Sequence, residues 1–263
     1  MIKKYLLTGI LFLTINIVFG QNLNLKYYMV VTYNTITSFS GYPKEYESKL
    51  YIGRNESCFI LNGPQKENIG NIGKNITPNI KLKFGSKYPM FFLKKYNKNY
   101  YQFYTQSRLK ATKYFIVNDT VPTIKWKLSK ERKEIYGYMC NKATGAFRGR
   151  TYTVWFTNQI PLSLGPWKLG GLPGLIIKAV DSTGEVSFNL VSIKKKNGIY
   201  SLKLPQLKEI SWLEYKKIIQ KFFKRIYGYF RTMQDENVEV KVSKPTGFEP
   251  SIFDKRNRKN FNK

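Results

Sequence analysis

The sequence predicts a mainly β fold: one curved antiparallel sheet, or an open barrel, with a single C-terminal amphipathic helix packed on it. Three observations carry this expectation. Short runs of β-branched and aromatic residues recur from Leu25 to Ile193, separated by Gly, Asn, Pro and Lys. Several alternate, so that Thr151, Thr153 and Thr157 fall opposite Tyr152, Val154 and Phe156, as in a sheet with two different faces. One stretch, Ser211–Met233, abandons that rhythm for three- and four-residue steps.

The chain opens on Met-Ile-Lys-Lys and an apolar run from Tyr5 to Phe19, the charged and greasy parts of a secretory signal. Val18 and Gly20 are small enough for a signal peptidase, which places cleavage between Gly20 and Gln21. The run is shorter than the roughly 20 apolar residues of a membrane span and contains Thr8, Thr14 and Asn16. Gln21 offers no thiol for a lipid anchor. The expected organisation is a signal peptide over 1–20, a single mostly β domain over 21–243 and a disordered basic tail over 244–263, released to the periplasm or outside the cell.

Within the domain the candidate strands are Leu25–Thr35, Tyr46–Ile52, Cys58–Leu61, Tyr88–Lys95, Asn99–Thr105, Lys113–Val117, Thr123–Leu128, Glu134–Cys140, Arg150–Phe156, Leu175–Val180 and Val186–Ile193. Asn62–Asn79, with three glycines, two prolines and few apolar residues, reads as a surface loop. Ser211-Trp212-Leu213-Glu214 is a capping box, in which the serine oxygen caps a free amide and the glutamate returns to the serine's own amide. After it, Tyr215, Ile219, Phe222, Phe223, Ile226 and Phe230 share one helical face and lysines occupy the rest. Such a stripe packs on the sheet; its other use is to lie on a membrane surface.

Forty-five Lys and Arg against 16 Asp and Glu give a formal charge of +29, or +27 once Lys3 and Lys4 leave with the signal. A field of that size attracts anionic partners, and the expected ones are an outer-membrane protein or an anionic membrane surface. Aromatic-basic runs such as Phe91–Tyr96 fit an alternating strand better than a nucleic-acid stacking platform. Two cysteines, Cys58 and Cys140, in an exported chain fit either one disulfide or two buried thiols.

The chain has no histidine, which removes Ser-His and Cys-His nucleophilic machinery and His-ligated metal sites. It has no phosphate-binding glycine loop and no dinucleotide fingerprint. No cofactor is expected. Asp119 and Asp181 stand at strand ends where turn-forming aspartates are ordinary, so nothing marks a catalytic carboxylate pair.

The most distinctive stretch is Gly165-Pro166-Trp167-Lys168-Leu169-Gly170-Gly171-Leu172-Pro173-Gly174-Leu175-Ile176. Two Gly/Pro turn-makers flank apolar residues, which describes a buried tight connection leading into a central strand. Together with Gly137-Tyr138-Met139-Cys140-Asn141-Lys142-Ala143, the strand Arg150–Trp155 and Ile160-Pro161, it resembles the GLPGLI family of exported envelope proteins. The name motif is present letter for letter at Gly171–Ile176. The resemblance implies a compartment and an architecture, and carries no active site. Arg150, Trp155 and Trp167 are the nearby side chains able to recognise an anion or an apolar ligand.

The functional expectation is a non-catalytic envelope protein that binds a partner protein or the outer-membrane surface. The alternative is a periplasmic carrier holding a lipid or other apolar ligand in a concave β cavity. Periplasmic lipoprotein-localisation carriers have a similar shape, an analogy of architecture alone. A weaker third reading, a glycan hydrolase, requires two facing acids in a cleft.

Overall fold

The computed structural model describes residues 21–39, 43–62, 66–67, 89–98, 100–106, 114–204 and 207–232. The signal over 1–20, most of the loop over 62–79 and the tail over 244–263 lie outside the described residues.

Thirteen strands and one helix form the described fold: β1 Gln21–Thr37, β2 Lys44–Ile52, β3 Glu56–Leu61, β4 Lys66–Glu67, β5 Met90–Lys95, β6 Tyr101–Gln106, β7 Tyr114–Asp119, β8 Lys127–Ile135, β9 Tyr138–Phe147, β10 Arg150–Thr157, β11 Leu175–Asp181, β12 Val186–Leu204, β13 Lys208–Ser211 and α1 Trp212–Thr232. One sheet runs β13-β7-β6-β5-β3-β2-β1-β12-β11-β10-β9-β8, with β4 added to β2. All pairings are antiparallel except β13 with β7. The two ends, β13 and β8, do not pair with each other, so the sheet is open. The expected mainly β architecture with a C-terminal helix is the one observed.

The sheet curves until its two halves face one another. Tyr33, Leu50, Phe59, Phe92, Phe103 and Val117 from one half meet Phe147, Tyr152, Val154, Ile177 and Phe188 from the other. Alternation along β3 and β5 then sends Cys58, Ile60, Phe91 and Leu93 to the opposite face, into a second cluster. That face is covered by the far arm of the β1–β12 ribbon, through Leu25 and Leu204 with Leu23, Tyr27, Tyr200 and Leu202. The ribbon can reach back because its ladder slips twice, between Tyr27 and Met29 and between Thr32 and Tyr33, and each bulge adds bend and twist.

The helix begins as the sequence predicts. Ser211 Oγ accepts the Glu214 amide at 3.2 Å, and the Glu214 carboxylate accepts the Ser211 amide at 2.8 Å. Its first two turns hold it to the sheet: Ile219 is buried, Ile218 packs on the core, and Trp212 and Tyr215 flank Phe103 with ring centroids 6.4 and 5.3 Å away.

At the sheet's edge the strand boundaries differ from expectation. Apolar residues cluster over Thr123–Leu128 and Glu134–Cys140, but the strand is the charged run Lys127–Ile135 that bridges them. It forms the sheet's edge, where both faces meet water and no alternation is required. The stretch 134–140 instead spans a hairpin turn at Tyr136-Gly137, both with positive φ.

Candidate binding site

The residues of the Gly165–Ile176 motif are a backbone device. Leu164 and Gly170 form an isolated bridge, Ile176 donates its amide to Leu164 at 3.0 Å and Leu175 donates to Ile160 at 3.0 Å. Trp126 Nε1 donates to the Gly170 carbonyl at 2.9 Å, and Tyr33 donates its hydroxyl to the Ile176 carbonyl at 2.8 Å. Gly171 has φ +87°, which glycine adopts without strain. A Cβ on Gly174 would overlap the Thr157 carbonyl, lying 2.7 Å from its carbon. Leu172, Leu175 and Ile176 are buried, and Gly165 abuts the Ile176 side chain. Pro166 and Pro173 shape the two turns on either side.

The three side chains singled out from sequence do not line one site. Arg150 is buried, donating to Asp181 at 2.5 Å and to Glu185 at 2.7 Å. Asp181 also accepts from Thr183 and, at 2.8 Å, from the Val186 amide. Burial pushes the Asp181 carboxyl up, but hydrogen bonds from Thr183, the Val186 amide and Arg150 outweigh it and hold the group below the usual aspartate range. The network locks the β11–β12 hairpin to β10. Trp167 is a core residue at φ +55°, packed against Phe92, Phe147 and Tyr152. Trp155 is almost covered, with the Lys133 ammonium 4.2 Å above its ring. Arg150 and Trp167 are therefore corrected from recognition residues to scaffold: their polar and aromatic surfaces are already engaged inside the protein.

The Asp181 network gives a signed prediction. A carboxyl held below its ordinary value stabilises the fold fully above about pH 4, and that contribution is lost as pH falls through the lower native value. Asp181→Asn should cost about 2 kcal/mol at neutral pH, with Glu185 still holding Arg150. The gap between variant and parent should narrow as pH falls through that lowered native value. Urea unfolding at a series of pH values checks this, and a gap that stays constant on acidification refutes it.

A second buried ion cluster was not anticipated. Asp119, at the end of β7, is fully buried and receives Arg148 Nη2 and, at 2.6 Å, Lys168 Nζ. The Lys168 ammonium lies 4.5 Å from the Phe103 ring centroid, 5.3 Å from Trp212, 5.4 Å from Phe92 and 5.5 Å from Trp167. Arg148 stacks on Trp212 at 4.3 Å. One carboxylate thus joins β7, the β9–β10 turn, the 158–174 connection and the start of α1. A lone lysine inside the apolar run Trp167–Leu169 was the signal for it.

Cys58 and Cys140 are free buried thiols, which corrects the disulfide alternative. They belong to different clusters, Cys58 to the one beneath the ribbon arm and Cys140 to the main core. Burial pushes both thiols up, Cys140 to about 11, so neither is a ready nucleophile at neutral pH.

An open groove of about 720 Å³ lies where the β1–β12 ribbon bends beside the β2–β3 turn. Tyr27, Tyr28 and Ile199 supply apolar surface, while Asn24, Arg54, Asn55, Glu56 and Asn197 supply planar polar groups. The ribbon slip places Lys196 and Asn197 across from Tyr28, and Gly198 makes room for the Tyr27 ring crossing it. Tyr27, at the groove wall, meets Tyr51 edge-on with centroids 5.0 Å apart, and Tyr51 meets Tyr200 at a tilt with centroids 4.8 Å apart. The sequence hid this site because its β12 arm, Asn197–Ile199, lies about 140 residues from the β2–β3 turn and meets Asn24–Tyr28 only through ribbon register.

Both fully buried acids, Asp119 and Asp181, are claimed by cations. Among the described residues no group of three or more Cys, Asp or Glu is placed to hold a metal ion, and no helix is long and apolar enough to cross a membrane.

Residues 51–217 match the family model described as N-glycanase peptide, N-terminal domain. Among solved structures the chain is similar to PNGF-II in the C2 space group, at 21% identity and a TM-score of 0.50, covering 74% of this chain and 33% of that one. The P21 form of PNGF-II gives 21% identity over the same shares with a TM-score of 0.49. At such identity the likeness is one of fold, and this chain spans about a third of the length of the structure it matches. No curated protein matches the sequence.

Proposed function

We propose a binding role from one premise: the chain belongs to the family of the N-glycanase peptide's N-terminal domain. In this reading it is a non-catalytic recognition domain of an exported envelope protein, and its ligand is an oligosaccharide of the N-linked type held in the groove at the ribbon bend. The observation that carries the proposal is the groove's lining. Sugars present flat C–H faces that settle on tyrosine rings, and hydroxyls that pair with amide, guanidinium and carboxylate groups. Tyr27 and Tyr28 beside Arg54, Asn55 and Glu56 offer both in one cleft wide enough for several sugar rings. The missing histidine and the pairing of both buried aspartates with cations support a non-catalytic role. The lipid-carrier alternative has less support: the concave side is occupied by rings packed edge-on and tilted, such as Phe59, Phe92, Phe188 and Trp167.

Arg54 and Asn55 are exposed turn residues, so their alanine variants should fold normally while each weakens oligosaccharide binding about tenfold, the loss of a hydrogen bond to a charged or amide group. Calorimetric titration of the whole chain with a free N-glycan core oligosaccharide measures this. No heat from the parent, or equal affinity in parent and both variants, removes the groove from consideration.

A further inference from the structure

We propose that the β8–β9 hairpin seats the domain on an anionic lipid surface, tip inward. The inference does not rest on the groove. The hairpin's turn and flanks read Ile135-Tyr136-Gly137-Tyr138-Met139, an uncharged aromatic and apolar tip. Tyr136 is 60% exposed and Met139 51% exposed.

The turn conformation sharpens the point. Tyr136 has φ 52° and Gly137 φ 78°, the two positive values of the tight hairpin turn that Asn-Gly fills at least strain. A tyrosine there is disfavoured, and its ring gains nothing from burial to offset that. An observed backbone outlier bearing an exposed aromatic is where a functional reading begins.

The stem supplies the charge. From Lys125 to Phe147 there are six cations and two acids, and one of the acids, Glu131, is already held by Lys142 at 2.8 Å. Lys127, Lys130 and Arg132 are exposed. Lysines alone on an edge strand are ordinary protection against strand pairing. That explanation covers the stem and leaves the tip unexplained. An aromatic and thioether tip above a basic stem matches the layering of a membrane interface, where amphipathic rings sit at headgroup depth and lysines meet phosphate. The hairpin is also at the open end of the sheet, where no other described strand lies against β8.

The test is sedimentation of the full chain with vesicles of neutral phosphatidylcholine, alone or with about 30% phosphatidylglycerol, the contrast that isolates surface charge. The parent should bind the anionic vesicles and be released by salt. Tyr136→Asn suits the turn and should melt no lower than the parent, yet bind anionic vesicles about tenfold more weakly; Met139→Ser should weaken binding in the same direction. Because the C-terminal tail is present in every variant, its basic residues cannot produce that difference. Equal binding of Tyr136→Asn and parent, equal binding to neutral and anionic vesicles, or no vesicle binding by either would overturn the proposal, the last pointing to a protein partner at the tip.

Discussion

Replacing Asp119 with asparagine is expected to destabilise the domain by about 3–5 kcal/mol, the cost of leaving buried cations without their counter-charge. Lys168 and Arg148 both lean on this one carboxylate, with side chains only 1% and 10% exposed. In thermal unfolding that corresponds to a drop of about 10 °C for a domain of this size. The aromatic box cannot substitute for the carboxylate, since exposed cation–π contacts contribute about 1 kcal/mol and desolvated ones about 2. Combining Asp119→Asn with Lys168→Met should recover part of the loss, because the second change removes a buried charge and fills similar volume. If Asp119→Asn melts with the parent, the cluster is not a buried charge network and its role in holding α1 falls with it.

The second large effect is expected at Gly174, by a different mechanism. Gly174→Ala drives a methyl into the Thr157 backbone, and backbone cannot rotate away as a side chain can. Relief requires moving β10 against the start of β11, at more than about 4 kcal/mol. Gly171→Ala is the internal control. Its added carbon meets nothing closer than Trp126 Nε1 at 3.8 Å, so only the φ of +87° is strained, for about 1–2 kcal/mol. Urea unfolding of the pair should rank Gly174→Ala well above Gly171→Ala; the reverse order would mean that backbone conformation, not packing, makes this motif glycine-rich.

What the sequence made legible follows from where residues face. β10 announces itself because Arg150–Val154 alternates between a buried and a wetter side. Lys127–Ile135 did not, because it has no continuous apolar side, and in the second half of β12 the apolar side, Tyr200, Leu202 and Leu204, follows the charged run Lys194–Lys196, which breaks the pattern. Tyr136 hid a turn because tyrosine is not a turn-former. The capped helix start was readable at Ser211–Glu214 since both partners lie within four residues. Asp119, Arg148 and Lys168 come from three separate segments, and only the folded chain brings them together. Asp181 reads from the sequence as a turn aspartate, and it does cap its turn through Val186, but nothing local to it points to its partner Arg150. The groove was invisible for the same reason as the ion cluster.

The long ribbon has a consequence for the order of events during synthesis. Asn24 pairs with Ser201 across 177 positions, and among the described residues the arm Gln21–Tyr27 has no strand partner other than β12. A ribosome delivers the chain from its N-terminus, so this arm must wait until Leu204 has been made before the second cluster, which contains Leu25 and Leu204, can be closed. Contacts so distant in sequence also make folding slow, since loop closure must precede any gain from pairing. For most of its synthesis the polypeptide is therefore an unclosed thread.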